Sequence, residues 1–320
     1  MLAPQSTAFL FPGQGSQTVG MGQSLAAASP AARKLYEQAN DLLKFNFSAL
    51  CWNGPEAELN DTHNTQPALY VCSLAALAAL HDTLRVADFA PAFMAGHSLG
   101  EATALVAAMA LEFDDGLELV RERGRLMKKA GALSPGGMAA VLNLDAAVLA
   151  EVCAEASAGT GQRVQVANDN CPGQVVISGD SAALEKAMEL AKARGAKRAI
   201  KLPVSIAAHS PLMSMVADEY ARFVDGLPFI APLVPVIANT SVQPLADGHA
   251  IRAELVSQLT RPVRWTETIR YLVAQGVTNF VELGSKDVLT GLVKRIAPEA
   301  TCFAVGTPEA VEQWAGVNGQ

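Results

Sequence analysis

Cysteine is scarce, and none of it is spaced to build a cage. The five cysteines (Cys51, Cys72, Cys153, Cys171, Cys302) are odd in number, scattered, and contain no CxxC pair. That argues against a disulfide framework or a zinc site, and for a reducing compartment. Positive charge is short as well: 24 Lys+Arg stand against 31 Asp+Glu, a net charge of −7. Such a chain has no basic field for duplex nucleic acid. Long hydrophobic runs are missing. The run over residues 74–80 is too short to span a bilayer. The N-terminus lacks the basic stretch and apolar core of a signal peptide. Repeats and low-complexity tracts are also missing. What remains is apolar bulk: 320 residues, half of them hydrophobic, with a mean hydropathy of +0.22. A large buried core follows, and a cytoplasmic α/β enzyme without a membrane or nucleic-acid partner is the expectation.

Residues 7–11 read as a buried strand ended by Pro12-Gly13-Gln14-Gly15. Helical patterns follow over 21–41 and over 68–81, the latter opened by Pro67. A short apolar segment at 90–95 leads through Gly96-His97-Ser98-Leu99-Gly100 into an Ala-rich helix, 101–111, and then a helix over 115–130. After the break at 131–137 the rhythm becomes strand, helix, strand, strand, helix, strand within residues 138–202, the split βαβ of a ferredoxin-like unit. Residues 131–203 therefore read as a small domain inserted into a large one made of 1–130 and 204–320. The large domain resumes with strands at 204–208, 234–239 and 279–283 and helices from 211, 250, 265 and 288. Strands alternating with helices imply a central parallel sheet. The last fifteen residues read as a weakly ordered tail.

Gly96-x-Ser98-x-Gly100 between a strand and a helix is the setting of a nucleophile elbow. The glycines permit a sharp turn that lifts the serine oxygen above the sheet edge at a helix N-terminus. With this composition, chance supplies roughly 0.1 such matches before the strand–helix context is required. A serine hydroxyl needs a base. Of five histidines, His97 adjoins the serine and should diverge from it, whereas His209 follows the expected strand 204–208 and opens a helix. Catalytic groups in open α/β sheets gather at such strand ends, although a buried structural histidine is the alternative. On the helix at 115–130, Arg123 is the only charge on the apolar arc. It must meet either an internal carboxylate or that of a substrate. The loop Phe11–Gln17 lacks the third glycine of a dinucleotide fingerprint and suits the donation of N–H groups to an oxyanion better.

FPGQGSQ near the start, GHSLGE at 96–101, the run Asn168 to Gly179, VSIAAHSPLM at 204–213 and PVRW at 262–265 together resemble the malonyl-CoA:acyl carrier protein transacylases. The match runs in order over residues 7–296. The resemblance implies a hydrolase-like large domain with a ferredoxin-like insertion. It implies Ser98 as the acylated nucleophile and His209 as its base. Arg123 would grip the malonyl carboxylate, and the N–H groups of Gln14 and Leu99 would form the oxyanion site. The backbone carbonyl of Gln258 would orient His209 in place of a triad acid. It also implies malonyl-CoA and acyl carrier protein as partners, and no metal or other cofactor. Ala102 and Ala208 stand where an aromatic is frequent and enlarge the acyl space. Gly284-Ser285-Lys286 replaces a more usual Gly-Pro-Gly, with local consequence expected.

A serine thioesterase on the same elbow, and a scaffold subunit that keeps the fold, are the rival readings. Lys192, Arg194, Lys197, Arg198 and Lys201 on the small domain, or Lys294 and Arg295, are candidate docking patches for an acidic carrier, against the plainer reading of a solvated face.

Overall fold

A computed structural model describes residues 3–84 and 89–318. Its strands are β1 (Thr7–Phe11), β2 (Phe93–Gly96), β3 (Gly136–Leu142), β4 (Val164–Cys171), β5 (Gln174–Asp180), β6 (Arg198–Lys201), β7 (Val236–Ile237), β8 (Asn279–Leu283) and β9 (Thr301–Val305). Its helices are α1 (Gln23–Ala28), α2 (Pro30–Leu43), α3 (Phe47–Asn53), α4 (Glu56–Leu59), α5 (Thr62–Leu84), α6 (Leu99–Ala107) and α7 (Phe113–Leu133). After these come α8 (Ala146–Thr160), α9 (Ser181–Ala193), α10 (Ser214–Asp225), α11 (Gly248–Gln258), α12 (Trp265–Ala274), α13 (Val288–Ile296) and α14 (Pro308–Asn318).

Two sheets result, as the alternating and split patterns require. One is parallel in the order β7-β2-β1-β8-β9, with the wholly buried β1 at its centre. The other is antiparallel in the order β4-β5-β3-β6, the order of a split βαβ, with α8 and α9 closing an apolar cluster against it. The chain leaves β1 toward β2 on one side and returns to β8 on the other. The C-terminal ends of β1 and β2 thus flank a switch in strand order, where open α/β sheets place their sites.

Several local expectations are corrected. The helix expected over 21–41 is two, because Ser29 caps α2 through the Ala32 N–H and Pro30 occupies its first turn. The helix expected to open at Pro67 begins at Thr62, with the carboxylate of Asp61 accepting the His63 N–H. The His63 carbonyl, which Pro67 cannot serve, receives Arg121 Nη1 at 3.5 Å instead. The stretch 204–208 is not a strand. Pro203 has no N–H for a ladder, and the Val204 N–H turns back onto the Leu202 carbonyl. The expected strand at 234–239 pairs only over Val236–Ile237, and the helix expected to run to 111 ends at Ala107. Of the last fifteen residues, expected to be a loose tail, 306–318 are ordered by α14, and 319–320 lie outside the described residues. β9 adds the last parallel strand, and α14 buries Trp314 edge-on against Phe9 and Phe89, at centroid distances of 6.1 and 4.9 Å. Among the described residues no helix is long and apolar enough to cross a membrane.

Candidate active site

The elbow forms because glycine stands where a β-carbon cannot. A Cβ on Gly96 would lie 1.9 Å from the Gly100 backbone, and one on Gly100 would lie 2.0 Å from the Phe11 carbonyl. This close crossing throws Ser98 into φ 54°, ψ −107°, a conformation that non-glycine residues rarely adopt, directly before α6. Leu99 is the first residue of α6, so its N–H has no carbonyl one turn earlier and faces the helix entrance free for an acceptor. The loop after β1 lies against the turn: a Cβ on Gly13 would sit 2.4 Å from the His97 carbonyl. Gln14, the next residue, donates Nε2 to Thr62 Oγ1 at 2.6 Å and accepts from Gln66 Nε2 at 3.3 Å.

Three side chains distant in sequence meet at Ser98. Its Oγ is 2.8 Å from His209 Nε2 and receives Arg123 Nη2 at 3.1 Å. His209 is 3% exposed, and its Nδ1 lies 2.8 Å from the Gln258 carbonyl. A carbonyl only accepts, so the proton sits on Nδ1 and Nε2 is left to accept from the serine hydroxyl. His209 stands in a turn at φ 56° rather than at a strand end. Gln165 of β4 fixes that turn by donating Nε2 to the carbonyls of His209 and Thr260, at 2.7 and 3.0 Å. Burial first, then the nearby guanidinium of Arg123, hold the imidazole down to about 3. It is therefore neutral near pH 7, the form in which it can take a proton.

Arg123 is 2% exposed on α7, and every residue of its expected apolar arc is buried with it. Nη1 donates to Gln66 Oε1 at 3.0 Å, and Nη2 donates to Gln258 Oε1 at 2.8 Å as well as to Ser98. These partners are amides and a hydroxyl. Among the described residues no carboxylate lies at ion-pair distance from Arg123; the buried acid Glu101 acts on it only from beyond that distance, so no contacting carboxylate neutralises the guanidinium. The other cations of α7 have partners: Arg125 and Lys129 meet Glu219, Lys128 meets Asp61, and Arg121 meets Asn64.

Reasoning from the residues passed over Gln66, Gln165 and Asn239, whose Oδ1 accepts the Ser98 N–H at 2.7 Å. Their amides carry no periodic signal. The place of Asn239 as the last residue of the expected strand 234–239 is the one hint that was available. His97 diverges from the serine as expected and meets Asn170 Oδ1 at 2.8 Å and the Trp265 ring. Lys286 of the Gly-Ser-Lys turn reaches beyond its own turn, donating Nζ to the Gly15 carbonyl at 3.2 Å. Among the described residues no group of three or more His, Cys, Asp or Glu could hold a metal ion.

Against known proteins, residues 8–307 match the model of the acyl transferase domain. A malonyl CoA-acyl carrier protein transacylase of Bacillus subtilis is 45% identical over 305 residues, covering 95% of both chains. Among solved structures, an acyl-carrier-protein S-malonyltransferase from Bartonella henselae superposes with a TM-score of 0.94 at 42% identity, covering 98% of this chain and all of the other. A malonyl-transacylase solved in complex with a type II PKS acyl-carrier protein gives a TM-score of 0.92 at 41% identity, with coverage of 98% and 100%.

Proposed function

The chain belongs to the malonyl-CoA:acyl carrier protein transacylase family, and we propose that Ser98, His209 and Arg123 carry out that transfer by a ping-pong route. The observation that carries the proposal is the buried guanidinium of Arg123, in contact with no acid among the described residues and hydrogen-bonded to the hydroxyl of Ser98. A short substrate with a free carboxylate next to a thioester meets both needs at once.

In the first half-reaction His209 Nε2 takes the proton of Ser98, and Oγ bonds to the thioester carbon of malonyl-CoA. The oxyanion is received by the N–H groups of Leu99 and Gln14, each worth about 3 kcal/mol when well placed. The carbon–sulfur bond then breaks, and the imidazolium returns its proton to the departing CoA sulfur. In the second half the phosphopantetheine thiol of the carrier gives its proton to His209 and its sulfur bonds to the malonyl carbon. Ser98 leaves and recovers the proton. The carbonyl of Gln258 holds the imidazole in register through both halves, where a triad would use an acid. Serine, imidazole and backbone donors supply each of these steps. Residues 131–203 act as an inserted small domain that contributes Gln165 and Asn170 to the site. A cytoplasmic setting suits the free cysteines, four of them buried.

Intact-mass measurement after incubation with malonyl-CoA tests the reading. One malonyl group should appear on the chain, vanish on addition of holo carrier protein, and never appear on Ser98→Ala. Steady release of CoA without carrier would instead mark a thioesterase, and no adduct on the unaltered chain would remove Ser98 from its role.

A further inference from the structure

We propose that Asn239 is a positioning residue for the nucleophile: its carboxamide, anchored through Glu101, holds the turn at Ser98 in the orientation that reacts. The proposal rests on the reading of Ser98 as the acylated group. Asn239 lies two residues beyond β7, the strand that borders β2, and is completely buried. Its Oδ1 accepts the Ser98 N–H and its Nδ2 donates to the Gly96 carbonyl, both at 2.7 Å. One rigid amide therefore spans the turn from its entry glycine to the serine. The backbone of Asn239 is itself fixed from two sides. Its N–H donates to Glu101 Oε2 at 2.6 Å, and its carbonyl accepts the Arg264 N–H at 3.0 Å. Glu101 sits on α6, the helix that starts at the nucleophile, so the clamp closes on the element it holds.

The same amide touches the rest of the machinery. Gln258 Nε2 donates to the Ser98 carbonyl at 3.1 Å and reaches Asn239 Oδ1 at 3.4 Å, while the Gln258 carbonyl holds His209. A turn at φ 54°, ψ −107° persists only where its surroundings over-determine it. Here that work falls to a carboxamide that is fully buried, with both of its ends bonded to the turn. Glu101 is buried and is pushed well above the usual carboxylate range, by burial first and then by Glu254. Its Oε1 makes no hydrogen bond of 3.5 Å or less among the described residues, although the Gln258 amide and the Arg123 guanidinium are near enough to favour its charged form. The Asn239 N–H needs only one acceptor oxygen there, which a neutral amide supplies as well as an acid does.

Single-turnover acylation by malonyl-CoA, followed by intact mass over a range of substrate concentrations, provides the test. Asn239→Ala is expected to slow the saturating rate about ten- to a hundredfold, the rate equivalent of leaving a buried donor unpaired. The half-saturating concentration should move by less than about twofold, because Arg123 is untouched. Glu101→Gln keeps the acceptor and should stay within about threefold of the unaltered chain, whereas Glu101→Leu should follow Asn239→Ala. If Asn239→Ala does not fold, the Glu101 pair decides. Acylation of Asn239→Ala at the parental rate, or equal rates for Glu101→Gln and Glu101→Leu, would overturn the proposal. An unaltered chain that takes up no malonyl would overturn the Ser98 reading, and the clamp with it.

Discussion

The guanidinium of Arg123 and the hydroxyl of Ser98 are joined by a hydrogen bond of 3.1 Å, so the site's buried positive charge lies directly beside the atom to be acylated. A carboxylate meeting that guanidinium has space for very few atoms between itself and the carbonyl under attack. The pair therefore works as a ruler as well as a charge match.

From this follows a chain-length and charge preference. Succinyl-CoA, one methylene longer, should acylate Ser98 much more slowly than malonyl-CoA. Arg123→Ala should lose about 2–5 kcal/mol of malonyl transition-state binding, a loss of roughly 30- to several-thousandfold in kcat/KM. Acetyl transfer, which uses no carboxylate, should fall far less, so the acetyl-to-malonyl ratio rises. Competition between the two thioesters, read by intact mass, checks it, and an unchanged ratio would free Arg123 from its assignment.

The depressed His209 gives a pH dependence with a definite sign. With the imidazole held to about 3 instead of 6.5, the base stays unprotonated as pH falls through 6.5. The acylation rate should therefore hold level down to about pH 5. Removing the cation in Arg123→Ala stabilises the imidazolium, and the acid limb should move to higher pH. Stability shows the same shift. Between about 6.5 and 3 the unfolded chain takes up a proton at His209 that the folded chain refuses, so His209 subtracts stability as pH falls through that window and nothing above it. His209→Gln should accordingly flatten the decline of urea midpoints over pH 6 to 4.

Trp314 separates folding from chemistry. Replacing it with Ala empties the space beside the stacked rings of Phe9 and Phe89, at a cost of about 3–5 kcal/mol. The thermal midpoint should drop by several degrees while the acylation rate of the folded fraction is unchanged. A proportionate loss of rate would show that α14 bears on the site.

The two cationic patches are unequal. On the small domain Arg194 is paired with Glu151 and Glu155, and Lys201 with Glu185, while Arg295 is committed to Gln174 and the Pro172 carbonyl. Lys192, Lys197 and Arg198 have no carboxylate at ion-pair distance among the described residues. Lys197→Glu with Arg198→Glu should raise the KM for carrier protein several-fold, and more at low salt, without slowing acylation by malonyl-CoA. Equal KM values would exclude this patch.

Much of the site was readable because its signals are local. The glycines flanking Ser98 are required by a crossing of backbones, and that requirement survives in any fold that builds the turn. Arg123 was readable because a helix repeats every 3.6 residues, so one charge on an apolar arc stands out. The surroundings of His209 were misread. Val204 and Ile206 favour extended backbone, but a strand also needs a neighbour, and Pro203 closes that option. The burial of α14 depends on Phe9, some three hundred residues earlier, and no window along the chain contains both. Gln66, Gln165 and Asn239 are neutral amides whose partners lie 44 to 141 residues away. Only the assembled sheets bring them to Arg123, His209 and Ser98.

Gln165 belongs to the antiparallel sheet, yet it grips the carbonyl of the histidine that faces the parallel one. The imidazole is thus mechanically the property of both lobes. Loss of β4 would release the His209 carbonyl from Gln165 and let the base drift.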